Sequence, residues 1–176
     1  MRKLHNDELG RKSVEEFHTA EKTPVILVLE NVRSMNNVGS VFRTADAFLL
    51  EAVYLCGFTS TPPHREIQKT ALGATETVRW KHFPSTSDAI AELKNAGAVI
   101  YAAEQAEHSL SPGEIDAKGK TIAVIFGNEV DGVAQETIDQ CDGVVEIPQA
   151  GTKHSLNIAV SAGILSWELF RKHANL

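Results

Sequence analysis

Short apolar runs alternate with polar and amphipathic stretches along most of the chain. Residues 25–29 (VILVL), 52–56 (AVYLC), 99–103 (VIYAA), 122–126 (IAVIF) and 144–147 (VVEI) are rich in β-branched and aromatic side chains. Their shortness and composition predict buried strands. Residues 78–83 (VRWKHF) alternate apolar and polar, which predicts a weaker strand at a sheet edge. Between these lie helix candidates over residues 38–50, 66–72, 86–95 and 133–140. Ser85 or Ser87 can cap the third of them, and Gly97 can end it. Strands alternating with helices predict an α/β domain built on a mainly parallel sheet.

The two ends of the chain differ from this middle. Residues 1–22 are charged, with Leu4, Val14 and Phe17 as their few large apolar side chains, and predict a short helical extension. The domain proper then occupies residues 23–176. Residues 155–173 predict a last helix, started by Ser155 as its cap, that is apolar on more than one face (Leu156, Ile158, Val160, Ile164, Leu165, Trp167, Leu169, Phe170). A helix apolar on most sides is buried on most sides. The sheet can cover one side and a second copy the other, so a homodimer is expected.

With 176 residues, a single domain with a proper core is expected. No apolar run approaches the ~18 residues of a membrane helix, and the opening MRKLHNDELGRK lacks the apolar stretch of a secretory signal. Cys56 and Cys141 have no metal-ligand spacing, so no metal and a reducing, cytoplasmic location are expected. The net charge of −6 conceals an asymmetry: residues 83–146 hold three basic against twelve acidic side chains, residues 31–82 six against four. An acidic face and a more basic one are therefore expected, and the basic one keeps nucleic acid open as a partner.

Three polar, glycine-bearing stretches adjoin the buried strands: residues 31–45 (NVRSMNNVGSVFRTA), 126–133 (FGNEVDGV) and 147–157 (IPQAGTKHSLN). In open α/β sheets ligands bind beyond the carboxyl ends of strands. Neither GxGxxG nor GxxxxGK[ST] is present. Asn37, Gly39 and Arg43 can set an amide, a close-approach backbone and a guanidinium about an anionic oxygen such as a phosphate. Equally, Asn37 can cap the helix while Arg43 makes a surface ion pair. A hydrolase built on His154 and Ser155 is remote, because adjacent residues rarely present their reactive atoms to each other and no GxSxG elbow exists.

Together the three stretches resemble the SpoU/TrmH family of RNA ribose 2′-O-methyltransferases, of the SPOUT class. Residues 37–45 (NVGSVFRTA) match its first motif, residues 125–129 (IFGNE) its second, and Ile147, Pro148 and residues 155–157 (SLN) its third. Gln149 stands where Met is usual and Ala159 where Ser is common. The resemblance covers residues 24–172. It implies helices on both faces of the sheet, a deep C-terminal trefoil knot, S-adenosyl-L-methionine as cofactor, a homodimer, and tRNA or rRNA as substrate. By position Ala103, Gly127, Asn128, Glu129, Ile147, Pro148 and Leu156 line the cofactor site, and Arg43, Asn37, Ser155 and Asn157 form the catalytic set. The resemblance gives Arg43 a key role, either as general base or, at lower cost, holding the 3′-phosphate and polarising the 2′-hydroxyl. Asn37 and Asn157 would orient the ribose or Arg43, and Ser155 would support them. Glu129 would fix a loop. The alternative is a non-catalytic RNA-binding or assembly factor that retains the fold.

Overall fold

The computed structural model describes residues 1–176 except the side chain of Asn6. Six parallel strands form one sheet: β1 (Thr23–Glu30), β2 (Leu50–Cys56), β3 (Trp80–Phe83), β4 (Val99–Ala103), β5 (Ile122–Phe126) and β6 (Gly143–Val145), in the order β3-β2-β1-β5-β4-β6. The alternating run at residues 80–83 forms the edge strand, where one face can stay wet. The continuous apolar run of β1 is central, hydrogen-bonded to β2 on one side and β5 on the other. Strands covered on both faces need apolar side chains throughout.

Alternate residues of β1 feed two cores. Val25, Leu27 and Leu29 pack with α2 (Met35–Ala47), α3 (Arg65–Ala71) and α7 (Ile158–His173). Ile26 and Val28 pack on the other face with Ala89, Ile90 and Leu93 of α5 (Thr86–Asn95). Helices thus lie on both faces. Two short helices, α4 (Ala74–Thr77) and α6 (Gln135–Ile138), and an N-terminal turn of helix, α1 (Val14–Thr19), complete the set. Phe17 of α1 is buried in the first core, so the charged extension is pinned by one ring.

Three helix starts correct the sequence reading. The helix expected from residue 38 begins at Met35, because the Ser34 hydroxyl accepts the Asn37 N–H (3.2 Å). Asn37 is therefore not the cap. The last helix begins at Ile158 and not at Ser155, because Asn157 caps it by accepting the Ala159 N–H (2.9 Å). Residues 155–157 are left extended. The stretch at 133–140 shrinks to the four residues of α6, whose N-terminus depends on a distant side chain described below. Elsewhere Ser85, and not Ser87, caps α5, and Gly97 (φ 74°) follows its end.

Gly39 also changes meaning. A Cβ there would lie 2.1 Å from Thr70 Oγ1 and 2.2 Å from the Ile67 carbonyl oxygen. The close approach is between α2 and α3, not to a ligand. Thr70 seals that contact by donating to the Asn36 carbonyl (2.9 Å). No helix among the described residues is long and apolar enough to cross a membrane.

Candidate cofactor pocket and reaction rim

The carboxyl ends of β4, β5 and β6 open on a cavity of about 700 Å³. Its back wall is the turn that follows β5. There Gly127 and Gly132 meet backbone to backbone: a Cβ on Gly127 would lie 1.9 Å from the Gly132 carbonyl carbon and 2.2 Å from Val133 N. Asn128 closes the turn by accepting the N–H groups of Val130 (2.8 Å) and Asp131 (2.9 Å) on its side-chain oxygen. Gly132 returns an N–H to the Asn128 carbonyl (3.1 Å). Only glycine at 127 permits so tight a fold, and main-chain atoms then form the wall.

Two carboxylates from separate strands hold the exit of this turn. Glu104, just past β4, accepts Val133 N–H (3.0 Å) and Gln105 N–H (2.8 Å). Glu30, at the end of β1 and only 4% exposed, accepts Ala134 N–H (2.9 Å) and the Thr137 hydroxyl. Glu30 therefore supplies from outside the cap that Ala134 cannot give α6. A charged group so deeply placed must be hydrogen-bonded, and here both oxygens are. Across the cavity Gln105 donates its side-chain amide to the His154 carbonyl, tying the third motif to the same loop.

The rim is a directional relay. Asn157 Nδ2 donates to Asn37 Oδ1 (3.2 Å), and Asn37 Nδ2 donates to Glu129 Oε1 (3.0 Å). Glu129 also accepts the backbone N–H groups of Arg33 (3.1 Å) and Ser34 (3.0 Å). Partial burial pushes the Glu129 carboxyl up, but the Arg33 amide, its own backbone N–H, the Ser34 amide and Asn37 together outweigh it and hold it below the usual carboxylate range. Glu129 is thus a brace joining the loop after β1 to the turn after β5.

Of the residues expected from sequence, Ala103, Gly127, Asn128, Glu129, Ile147, Ser155, Leu156 and Asn157 line the cavity. Asn37 joins it through Asn157 and Glu129, while Pro148 is not among the lining residues. Arg43 does not enter it. It lies in a second groove with Ser40, Thr44, Phe48, Lys69 and Thr70, and makes no ion pair or side-chain hydrogen bond among the described residues. The expected phosphate set of Asn37, Gly39 and Arg43 is therefore not assembled within one chain. Six residues along a helix turn about 240°, so Asn37 and Arg43 leave α2 in different directions. The surface ion pair of the competing reading is absent too. His154 also lines the cavity, but its ring and the Ser155 hydroxyl share no hydrogen bond, so no hydrolytic pair forms.

Glu104, Asp131 and Glu146 join Glu129 on the wall, and no Lys or Arg lines it. Such a wall suits a ligand that carries positive charge.

The SpoU rRNA Methylase family model matches residues 24–167. The chain belongs to that family. Among curated SpoU relatives it is 35% identical over 155 residues to the 23S rRNA (guanosine-2′-O-)-methyltransferase RlmB of Ralstonia nicotianae, covering 88% of this chain and 61% of that protein. It is 28% identical over 166 residues to the protein of the same name from Vibrio vulnificus, covering 94% and 66%. The chain thus spans slightly under two thirds of these relatives' length. An AdoMet-bound rRNA methyltransferase from Sinorhizobium meliloti superposes with a TM-score of 0.80 at 30% identity, covering 87% of this chain and 57% of that one.

The SpoU motifs account for the turn after β5 and the Asn37–Asn157 contact. They do not include Glu30, Glu104 or Gln105, which the sequence reading missed. Glu104 and Gln105 directly follow a strand expected to be buried, so the rule that ligands bind beyond strand ends could have found them. Glu30 gave no such sign, being one acid at the end of an apolar run.

Proposed function

We propose that this chain is an S-adenosyl-L-methionine-dependent RNA methyltransferase acting on a ribose 2′-hydroxyl of tRNA or rRNA, in the cytoplasm and as a homodimer. The observation that carries this reading is the pairing of a glycine-built pocket with an Asn157–Asn37–Glu129 rim. The residues fit the cofactor. A cavity of about 700 Å³ falls within the usual range for small-molecule sites. Ala103, Ile147 and Leu156 offer apolar surface, the tight turn offers main-chain atoms, and the acidic wall suits a sulfonium cation. When bound, S-adenosyl-L-methionine supplies an electrophilic methyl group.

The chain's own residues then have separable tasks. Gly127 and Gly132 keep the wall thin enough for backbone to reach a ligand. Asn37 and Asn157 orient the ribose, and Ser155 supports that end of the rim. The 2′-hydroxyl proton passes to a phosphate oxygen or to water. Glu129 has three donors on its oxygens and braces the rim instead of taking that proton. Arg43 holds the neighbouring phosphate, since a guanidinium keeps its proton. Orientation of this kind can supply up to roughly 7–11 kcal/mol of barrier reduction.

Arg43 needs a second copy to do this. The exposed side chains of Val160, Ile164 and Trp167 recur every three or four residues and form an uncovered apolar strip on α7. Phe48, which lines the Arg43 groove, packs at a tilt against Trp167 (5.9 Å between ring centres), so the groove borders that strip. Docking two chains there can bring the Arg43 of each toward the other's cavity. The C-terminal trefoil knot belongs to the same proposal. It is supported by β6 pairing with β4 while α7 returns to pack on α2 and β1.

Arg43 lying outside the cavity is also what favours the alternative, a non-catalytic RNA-binding factor. Incubation with tRNA or rRNA and methyl-tritiated cofactor separates the two. Label recovered in alkali-resistant dinucleotides, the mark of a blocked 2′-oxygen, supports the enzyme. Label confined to bases, or absent despite cofactor binding, removes the proposed activity.

A further inference from the structure

Six of the seven phenylalanines are buried or half-buried, whereas Phe58 is 59% exposed. A lone exposed apolar side chain is ordinary, but the mounting of this one is not. It sits on the turn after β2, which is braced from the strands on either side, β1 and β3. Gly57 (φ 63°) donates its N–H to the Phe83 carbonyl (3.0 Å), and His82 Nε2 lies 2.9 Å from the Gly57 carbonyl. Asn31 Oδ1 accepts the Phe58 N–H (3.2 Å). Buried Thr59 donates its hydroxyl to the Leu29 carbonyl (3.0 Å) and accepts the Val32 N–H (3.0 Å).

Those bonds also place the turn beside the rim. Val32 is bound to Thr59, and its successors Arg33 and Ser34 are bound to Glu129. Two residues of chain span at most about 7 Å. Arg33, on the loop bound to Thr59, is exposed, and so are His64 and Arg65 where the turn enters α3. Neither arginine makes an ion pair among the described residues.

We propose that Phe58 is a stacking platform for an unpaired nucleobase of the RNA, with Arg33 and Arg65 receiving the adjoining phosphates. The proposal rests on the RNA-methyltransferase reading and deepens it. Proteins that bind single-stranded RNA take hold of splayed bases on aromatic faces, and a turn already braced at its backbone needs little further ordering to present one. Stacking tolerates any base, so the platform orients a strand across the rim without choosing its sequence.

The test uses the full chain, a short fluorescent oligoadenylate, and an abasic oligomer of the same length. Phe58→Ala weakens oligoadenylate binding by about tenfold, within the range for losing one base–aromatic stack. It leaves the abasic oligomer and S-adenosyl-L-methionine affinities unchanged. Phe58→Trp retains oligoadenylate binding, and its added emission is quenched by that oligomer. Equal binding by wild type and Phe58→Ala overturns the platform while methyl transfer to RNA still stands. Absence of RNA binding with cofactor binding intact overturns it as well. Self-association that disappears in Phe58→Ala assigns the ring to a protein contact and overturns it. If neither cofactor nor RNA binds, the parent reading has failed, and the platform falls with it.

Discussion

Replacing Gly127 by alanine tests the pocket wall directly. The new methyl carbon would sit 1.9 Å from the Gly132 carbonyl carbon, 2.0 Å from its oxygen and 2.2 Å from Val133 N, whereas ordinary contact begins at 3.4 Å. All three atoms are backbone, so no rotamer change relieves the clash. The turn must retreat by about 1.5 Å. Val133 N then leaves Glu104, and Ala134 N is strained against Glu30, from bonds of 3.0 and 2.9 Å. A hydrogen bond to a charged group contributes about 1.5–3 kcal/mol. Glu104 is half-buried and belongs at the lower end, so the expected loss is about 3 kcal/mol. For a chain of this size that lowers the melting temperature by roughly 6–12 °C. Calorimetric melting measures it, and titration with S-adenosyl-L-methionine should show affinity falling at least tenfold. Gly113→Ala is the control: a Cβ there meets nothing within 4 Å and its φ is not positive, so this variant should melt with the wild type. A Gly127→Ala protein that melts with the wild type and binds cofactor as tightly refutes the wall described above.

Four further outcomes follow from the same geometry. Glu129 has its carboxyl held below the ordinary range, so its bracing is fully present above the unfolded pKa and is lost as pH falls through the folded one. The melting difference between wild type and Glu129→Gln should therefore shrink on acidification, and a difference constant from about pH 7 to about pH 3 contradicts this. Burial pushes both the Cys56 and Cys141 thiols up to about 12. Cys56 is fully buried, so Ellman's reagent near neutral pH should react with it only as fast as the protein opens, and prompt labelling of both thiols would falsify that burial. Ile164→Glu places a charge in the strip on α7. Sedimentation should then show association weakened at least a hundredfold, about 3 kcal/mol, with cofactor binding kept; a monomeric wild type ends the homodimer proposal. Arg43→Ala should abolish methyl transfer while calorimetry shows unchanged cofactor affinity, and retained turnover removes Arg43 from the catalytic set.

The sheet was legible because β1 and β5 are uninterrupted apolar runs, and a strand buried on both faces cannot be written otherwise. The edge position of β3 was legible from its alternation. Helix starts were not, because residues 34–37 and 155–157 both offer several capping side chains, and tertiary contacts decide among them. Ser34 caps α2 since Asn37 is drawn to Glu129. Asn157 caps α7 with its oxygen while its nitrogen reaches Asn37. Gly39 was legible as a close approach, but not what it approaches, which is a neighbouring helix; that Gly127 meets its own turn was not legible. Glu30 was invisible because its partners are a backbone amide and a hydroxyl more than a hundred residues away. Arg43 stands out in the sequence through its motif alone, and its direction depends on how α2 is rotated on the sheet.

The insertion of β5 between β1 and β4 bears on how the chain is made. β2 and β3 can pair with β1 soon after they emerge, but the other edge of β1 must wait for β5, whose first residue is Ile122. At ribosomal speeds of about 5–20 residues per second, the intervening 90 or so residues take roughly 5–18 s. For that interval VILVL lies at an open, apolar, uncharged edge, the kind of template that invites pairing with another chain. The strand at the centre of the finished fold is therefore the segment most exposed to misassembly during synthesis.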